Sequence, residues 1–284
     1  MRIFLVIALA LAAHARPAQA AWPEDVSLST MAQQTTNVAD AYLQLVQELA
    51  VAISAPSSLP ARTLGTAGFD ASMGNVLAFT TTTPTVEGDD NTSPWALAHT
   101  ESDPRPLLYI PQLSVRKGLP LSTEIGVRIG WLGMSRQGLF STVVRVAALE
   151  GVRPLPDATF HLGWTRYVGN PELELAVREV GFSVGTTLPL GSHPTIRQAR
   201  LQPFLSTSAL SITATPTLEQ PIATTTGIAA LSAKKKDPNF SEAMRRWRHS
   251  VGLQIMAGSF LLRTSAAWHP GVITTFSSEF GFSY

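Results

Sequence analysis

The 284-residue chain contains no cysteine. That excludes a disulfide framework, a lipid-modified N-terminal cysteine, cysteine-liganded zinc and a thiol nucleophile. Charge is scarce as well: Asp, Glu, Lys and Arg make up 14% of the residues, against about 25% in an ordinary soluble domain. The charges nearly cancel, to a net +1, so no basic surface for nucleic acid is expected. Mean hydropathy is nevertheless positive, yet no apolar run beyond the first residues reaches the ~20 that a membrane helix needs. Apolar residues must be spread thinly, as they are in a β-barrel with one lipid-facing wall.

The N-terminus carries an export signal. Arg2 is followed by the apolar stretch from Ile3 to Ala13 and by the small residues of Pro17-Ala18-Gln19-Ala20. This is the pattern of a secretory signal peptide over residues 1–20, cut after Ala20 and too short to span a membrane. Residues 21–36 read as a polar leader. From Asn37, a plausible N-cap, the residues Val38, Tyr42, Leu45, Leu49 and Ala52, with Val46 and Ile53, recur at helical spacing until Pro56 and Pro60 end the run. Residues 21–60 are thus expected to hold a periplasmic leader and one amphipathic helix, placed either at a barrel mouth or inside it as a plug.

After Pro60 the period becomes two. Val272, Thr274, Phe276, Ser278, Phe280, Phe282 and Tyr284 share one face, while Thr275, Ser277, Glu279, Gly281 and Ser283 share the other. The same alternation organises residues 121–132, 157–168, 247–255 and 260–268. A soluble sandwich would alternate too. Here, however, glycine crowds the polar wall, Trp and Tyr fall near segment ends, and the segments exceed the ~5–6 residues usual in soluble sheets. About ten strands are expected, at roughly 63–80, 107–115, 121–132, 139–150, 157–168, 173–186, 199–213, 246–256, 259–269 and 273–283, with a phase slip near Glu179 read as a bulge. The two longest connections are then the first and the seventh, on the extracellular side. The short links 116–120 and 257–259 are the second and the eighth, on the periplasmic side. The expected fold class is all-β: a transmembrane antiparallel up-and-down barrel of about ten strands (eight and twelve remain open) over residues 61–284.

Two stretches carry a resemblance. The run from Leu108 to Pro120 leading into Thr123–Gly130, together with Gly68-Phe69-Asp70 after an N-terminal helix, resembles segments of uncharacterised proteobacterial outer-membrane barrels of the porin-like superfamily. The resemblance implies a porin-like barrel and brings no substrate. The aromatic C-terminal strand resembles the last strand of such barrels, which implies recognition of Phe280, Phe282 and Tyr284 by the barrel assembly machinery.

Strand phase gives the lumen-lining candidates Asp70, Arg116, Glu124, Arg128, Arg145, His161, Glu174, Arg178, Arg246, Arg248, Arg263 and Glu279. They form either a conduit for small anionic or amphiphilic solutes or a salt-bridge network that fills a narrow barrel. A closed adhesive or structural barrel, acting through its loops, is the rival. An outer-membrane hydrolase is the least favoured alternative: Asp157 with His161 and Ser250 with His249 make no nucleophile–base pair by spacing, and no G-x-S-x-G occurs. No metal or cofactor is expected, since the six histidines show no ligand spacing. The expected partners are outer-membrane lipid and lipopolysaccharide; Lys234-Lys235-Lys236 in an outer loop reads first as a short solvated cluster, with lipopolysaccharide phosphates or an external partner as the alternative contact. Oligomeric state is not written in the sequence.

Overall fold

The computed structural model describes residues 25–34, 38–54, 59–81, 93–99, 106–133, 135–152, 155–190, 199–218 and 244–284. The expected signal peptide, Asn37 and the Lys234–Lys236 cluster lie outside them. Ten long strands follow the expected segments closely: β1 (Phe69–Phe79), β2 (Leu107–Leu119), β3 (Thr123–Trp131), β4 (Gly138–Leu149), β5 (Asp157–Val168), β6 (Leu173–Gly185), β8 (Ala199–Pro216), β9 (Arg245–Ala257), β10 (Phe260–Trp268) and β11 (Thr274–Ser283). A two-residue β7 (Leu188–Pro189) pairs with β8 beside the β6–β8 connection. Every pairing is antiparallel between neighbours in this order, β6 pairs with β8, and β1 pairs with β11, so the sheet closes. Phe69 and Tyr284 exchange both backbone hydrogen bonds, at 2.9 and 2.8 Å, at that seam. Closure leaves no open edge, which a lipid environment requires.

The outer wall is apolar and girdled. Phe79, Tyr109, Trp131, Phe140, Trp247 and Trp268 are exposed near the long-loop rim, and Phe69, Phe160, Phe260, Phe280, Phe282 and Tyr284 near the short-turn rim. By the rule that periplasmic turns are short and outer loops long, the first rim is extracellular and the second periplasmic.

Three differences from the expected layout have physical causes. Residues 63–68 precede β1 as irregular chain in the periplasmic mouth, where Leu64 N–H donates to Glu124 at 3.2 Å. β6 keeps one phase throughout, and the register shift falls instead in β4 between Ala147 and Leu149. The leader is not loose: Val26 exchanges hydrogen bonds with the Gln137 side chain, and Ser29 is held by Glu172 through a short helix α1 (Leu28–Gln34) with Leu28 and Met31 fully buried. Gln137 and Glu172 belong to connections at the extracellular rim, so the leader sits at that rim rather than on the periplasmic side.

A closed barrel of this kind resists unfolding by detergent. Unboiled protein should run ahead of boiled protein on a detergent gel; identical mobility together with solubility in plain buffer would contradict the fold.

Candidate functional site

Ten strands about 4.8 Å apart and tilted about 40° enclose a cylinder about 20 Å across between backbones. A helix with its side chains is about 10–12 Å wide, so one helix fits with a single layer of wall side chains around it. The predicted helix, α2 (Val38–Ser54), fills that space. Tyr42, Leu45, Val46, Leu49, Val51 and Ile53 are buried against Val76, Ile110, Leu132, Leu175, Val177 and Ile212 of the wall. Its final turn is buried on every side, as a helix surrounded by sheet must be.

The described part of the first outer connection, Ser93–His99, packs against this helix. A five-residue helix α3 (Pro94–Ala98), capped by Ser93, turns Trp95 inward. Glu48 of α2 receives the Trp95 indole N–H at 2.7 Å, the Thr81 amide at 3.0 Å and the Gln44 amide at 3.1 Å. Three donors satisfy a carboxylate that would otherwise be costly to bury.

The lower end of α2 is held by arginines. Arg128 donates to the Ile53 carbonyl at 2.6 Å and Arg248 to the Ser54 carbonyl at 3.0 Å, while the Ser54 hydroxyl donates to the Val51 carbonyl. Three of the four carbonyls left orphaned at a helix C-terminus are thereby paired, and two cations meet the negative end of the dipole. Arg128 stands on β3 and Arg248 on β9. In the ring order β3–β2–β1–β11–β10–β9 these are five strands apart, so the two guanidiniums reach the helix from opposite walls.

Below the helix the interior turns polar. Arg145, Glu124, Arg116 and Asp70 form a chain of ion pairs at 3.0, 2.9 and 2.6 Å from β4 to β1. Arg263 on β10 continues it to Glu279 at 2.7 Å and Asp70 at 3.4 Å, and Gln254 and Gln202 carry it on to β9 and β8. On the far side Glu179 joins His161, at 2.9 Å, to Arg248. These contacts run around the wall from strand to strand. The centre is taken by the descending chain, whose Pro60 and Ala61 carbonyls accept from Arg145 and Thr159. Beneath, a cavity of about 420 Å³ lined by Arg62, Arg200, Gln202 and Tyr284 opens at the periplasmic mouth.

Ten of the twelve sequence-derived candidates face inward: Asp70, Arg116, Glu124, Arg128, Arg145, His161, Arg248, Arg263 and Glu279 are buried, and Arg246 is partly covered, donating to Gln47 of α2 at 2.6 Å. Glu174 and Arg178 do not: both are exposed on the outer wall. The inward set of β6 is Leu173, Leu175, Val177 and Glu179, apolar in its upper part because it packs on α2. The assumption that apolar residues face lipid therefore inverted this strand. Glu179, Gln112 and Gln202 were missed, and Gln254, placed on the polar wall by the alternation from Trp247, was not counted among the candidates; an unbroken alternation through β6 would have found Glu179. Asp157 does not meet His161 but accepts from the Gly151 amide at 2.8 Å, and His249 faces outward against Trp268. Among the described residues no cluster of His, Asp and Glu is arranged to hold a metal ion.

An apolar outer wall, two aromatic girdles and a polar, closed lower interior decide the class. The fold is a closed antiparallel β-barrel of the outer-membrane type. No protein-family profile and no curated protein matches the sequence. Among solved structures the chain is similar to a KdgM porin (5% identity over 76% of this chain and 99% of that one, TM-score 0.30). It is also similar to Ail, the attachment invasion locus protein of Yersinia pestis (9%, over 77% and 99%, TM-score 0.22), and to the transport unit of the autotransporter AIDA-I from Escherichia coli (9%, over 88% and 98%, TM-score 0.36). Likeness at this level carries no argument about activity, and the outer-membrane assignment rests on the barrel's own geometry.

Two predictions follow from the clamp and the rim. Arg128→Met with Arg248→Met keeps side-chain bulk but strips two carbonyls of their donors and removes the Arg248 guanidinium from Glu179. Breaking a buried pair costs roughly 3–5 kcal/mol, so amide exchange in Ala50–Ser54 should accelerate strongly; unchanged protection would contradict the clamp. At the rim, burial and the charge of Arg248 pull the His269 imidazole down to about 3, while its Nδ1 lies 3.1 Å from the Ile273 carbonyl. Because the folded value lies below the unfolded 6.5, the unfolded chain takes up the proton first. Stability should therefore fall as pH drops from about 6.5 towards 3, with a shallower fall in His269→Gln, read from thermal midpoints.

Proposed function

We propose that this outer-membrane barrel is a conduit for small amphiphilic or anionic solutes, sealed at rest by its own N-terminal helix. Residues 21–60 act as the plug and residues 61–284 as the barrel. The observation that carries the reading is the path of the ion pairs. They line the wall, and the centre between them is occupied by α2 and the chain below it. Withdrawal of that segment leaves a passage with an apolar upper half and an arginine-bearing lower half, a lining suited to an anion with an apolar body.

The helix does not leave unaided. Six large side chains at about 1.5–3 kcal/mol each hold it with on the order of 10 kcal/mol, so opening requires a partner, a ligand or a force. A permanently closed barrel acting through its outer loops is the second reading, favoured by the same extent of burial. Recognition of Phe280, Phe282 and Tyr284 by the assembly machinery belongs to the proposal too, supported by the exposure of all three on the outer wall.

Single-channel recording separates the readings. Mature protein should be silent, and a form lacking residues 22–56, shown to be folded by its heat-modifiable mobility, should carry steady current. Steady current in the intact protein would overturn the seal; silence in the folded truncation would establish the closed barrel.

A further inference from the structure

The extracellular aromatic girdle is interrupted over two adjacent strands. At the level of Trp131, Trp247 and Trp268, strands β6 and β8 present Arg178 and Ser211. The cross-strand register makes one row of Trp164, Arg178, Ser211 and Arg245, all exposed. Arg178 and Arg245 are therefore two strand spacings apart, about 10 Å. Arg166, opposite Ala176, is the diagonal neighbour of Arg178, about 7–8 Å away by sheet geometry.

These three are the outward-facing arginines of the described strands, and none of them is in an ion pair among the described residues. Glu174 is the one outward acid nearby and lies above them, one row beyond Ala176. Ala176 and Thr213 make a low floor between the strands, and a groove of about 160 Å³ runs over it, lined by Trp164 and Arg166 and bounded at its upper end by Glu174. Directly below, Leu162, Val180 and Leu205 are among the most exposed apolar side chains of the barrel.

Charged arginines on a lipid-facing wall are tolerated only near the interface, where they reach polar groups. A guanidinium offers a planar fork of donors that matches phosphate. Three of them at headgroup height, above an apolar strip, fit a ligand with phosphates at that height and acyl chains beneath. We propose that this face binds the phosphorylated sugar headgroup of the outer-leaflet glycolipid, lipopolysaccharide, with Arg166, Arg178 and Arg245 on its phosphates and acyl chains over Leu162 and Val180. The proposal rests on the outer-membrane orientation but not on the lumen being a conduit. A second copy of the chain is a poorer occupant, because self-contact about a two-fold axis opposes arginine to arginine with a single acid to offset them.

The test is a titration of the purified mature protein in detergent with bis-phosphorylated lipid A, dephosphorylated lipid A and phosphatidylglycerol, read by native mass spectrometry. Lipid A should bind best and weaken with salt. The triple variant Arg166→Gln, Arg178→Gln, Arg245→Gln should lose at least ten-fold in affinity, while Lys117→Gln, at the other rim, should lose nothing. Heat-modifiable mobility in every variant keeps a folding failure, or failure of the barrel itself, distinct from loss of the site. Equal binding by the triple variant or by dephosphorylated lipid A would overturn the proposal. Equal binding of phosphatidylglycerol would overturn the glycolipid source, and a dimer that the triple variant abolishes would assign the face to a second copy.

Discussion

A helix that ends inside a closed barrel must find partners for its last carbonyls without water. Arg128 and Arg248 supply them from opposite sides of the ring, and the rest of the interior is arranged around that requirement. Each guanidinium is itself anchored, Arg128 by Gln112 and Arg248 by Glu179. Gln112 is tied to Glu279 and so to Arg263, and Glu179 to His161. Pulling the helix out therefore disturbs a network that reaches most strands, while leaving its wall-to-wall pairs in place.

The same helix sets the polarity of the lumen. Where α2 packs, the inner wall carries Val, Leu and Ile; where only the descending chain passes, it carries Arg, Glu and Gln. Glu48 lies at the other pole of this arrangement and binds the outer loop through Trp95 and Thr81. The plug is thus fixed at both ends by buried charge and along its length by apolar contact, whereas the periplasmic cavity is open and polar. The upper lumen is thus filled by α2 with α1 and Trp95 packed against it, and the lower lumen by the chain at Pro60 and Ala61.

Much of this was legible in the sequence. Alternation alone located ten strands to within a few residues at most boundaries, because a barrel wall between water-compatible and lipid-compatible faces enforces period two. Helix spacing located α2, and phase placed Arg116, Glu124 and Arg145 on one inner wall. What failed has one source. Reading apolar as outward presumes a polar lumen, and β6 faces an apolar helix instead, so Glu174 and Arg178 were turned inward and Glu179 was lost. The docked leader was hidden for a related reason: Leu28 and Met31 are too few to show a period, and their burial depends on loops distant in sequence. The interruption of the girdle became visible only once the register of β5, β6, β8 and β9 was fixed.

The most direct test of the seal uses the absence of cysteine. Ala50→Cys introduces a sole thiol in a fully buried turn of α2. In reconstituted vesicles with a membrane-impermeant maleimide on both sides, the account predicts no labelling of this thiol in the folded protein and measurably faster, still slow, labelling after Arg128→Met with Arg248→Met. Rapid labelling with both arginines intact would mean that the helix does not occupy the lumen at rest, and the account would fall.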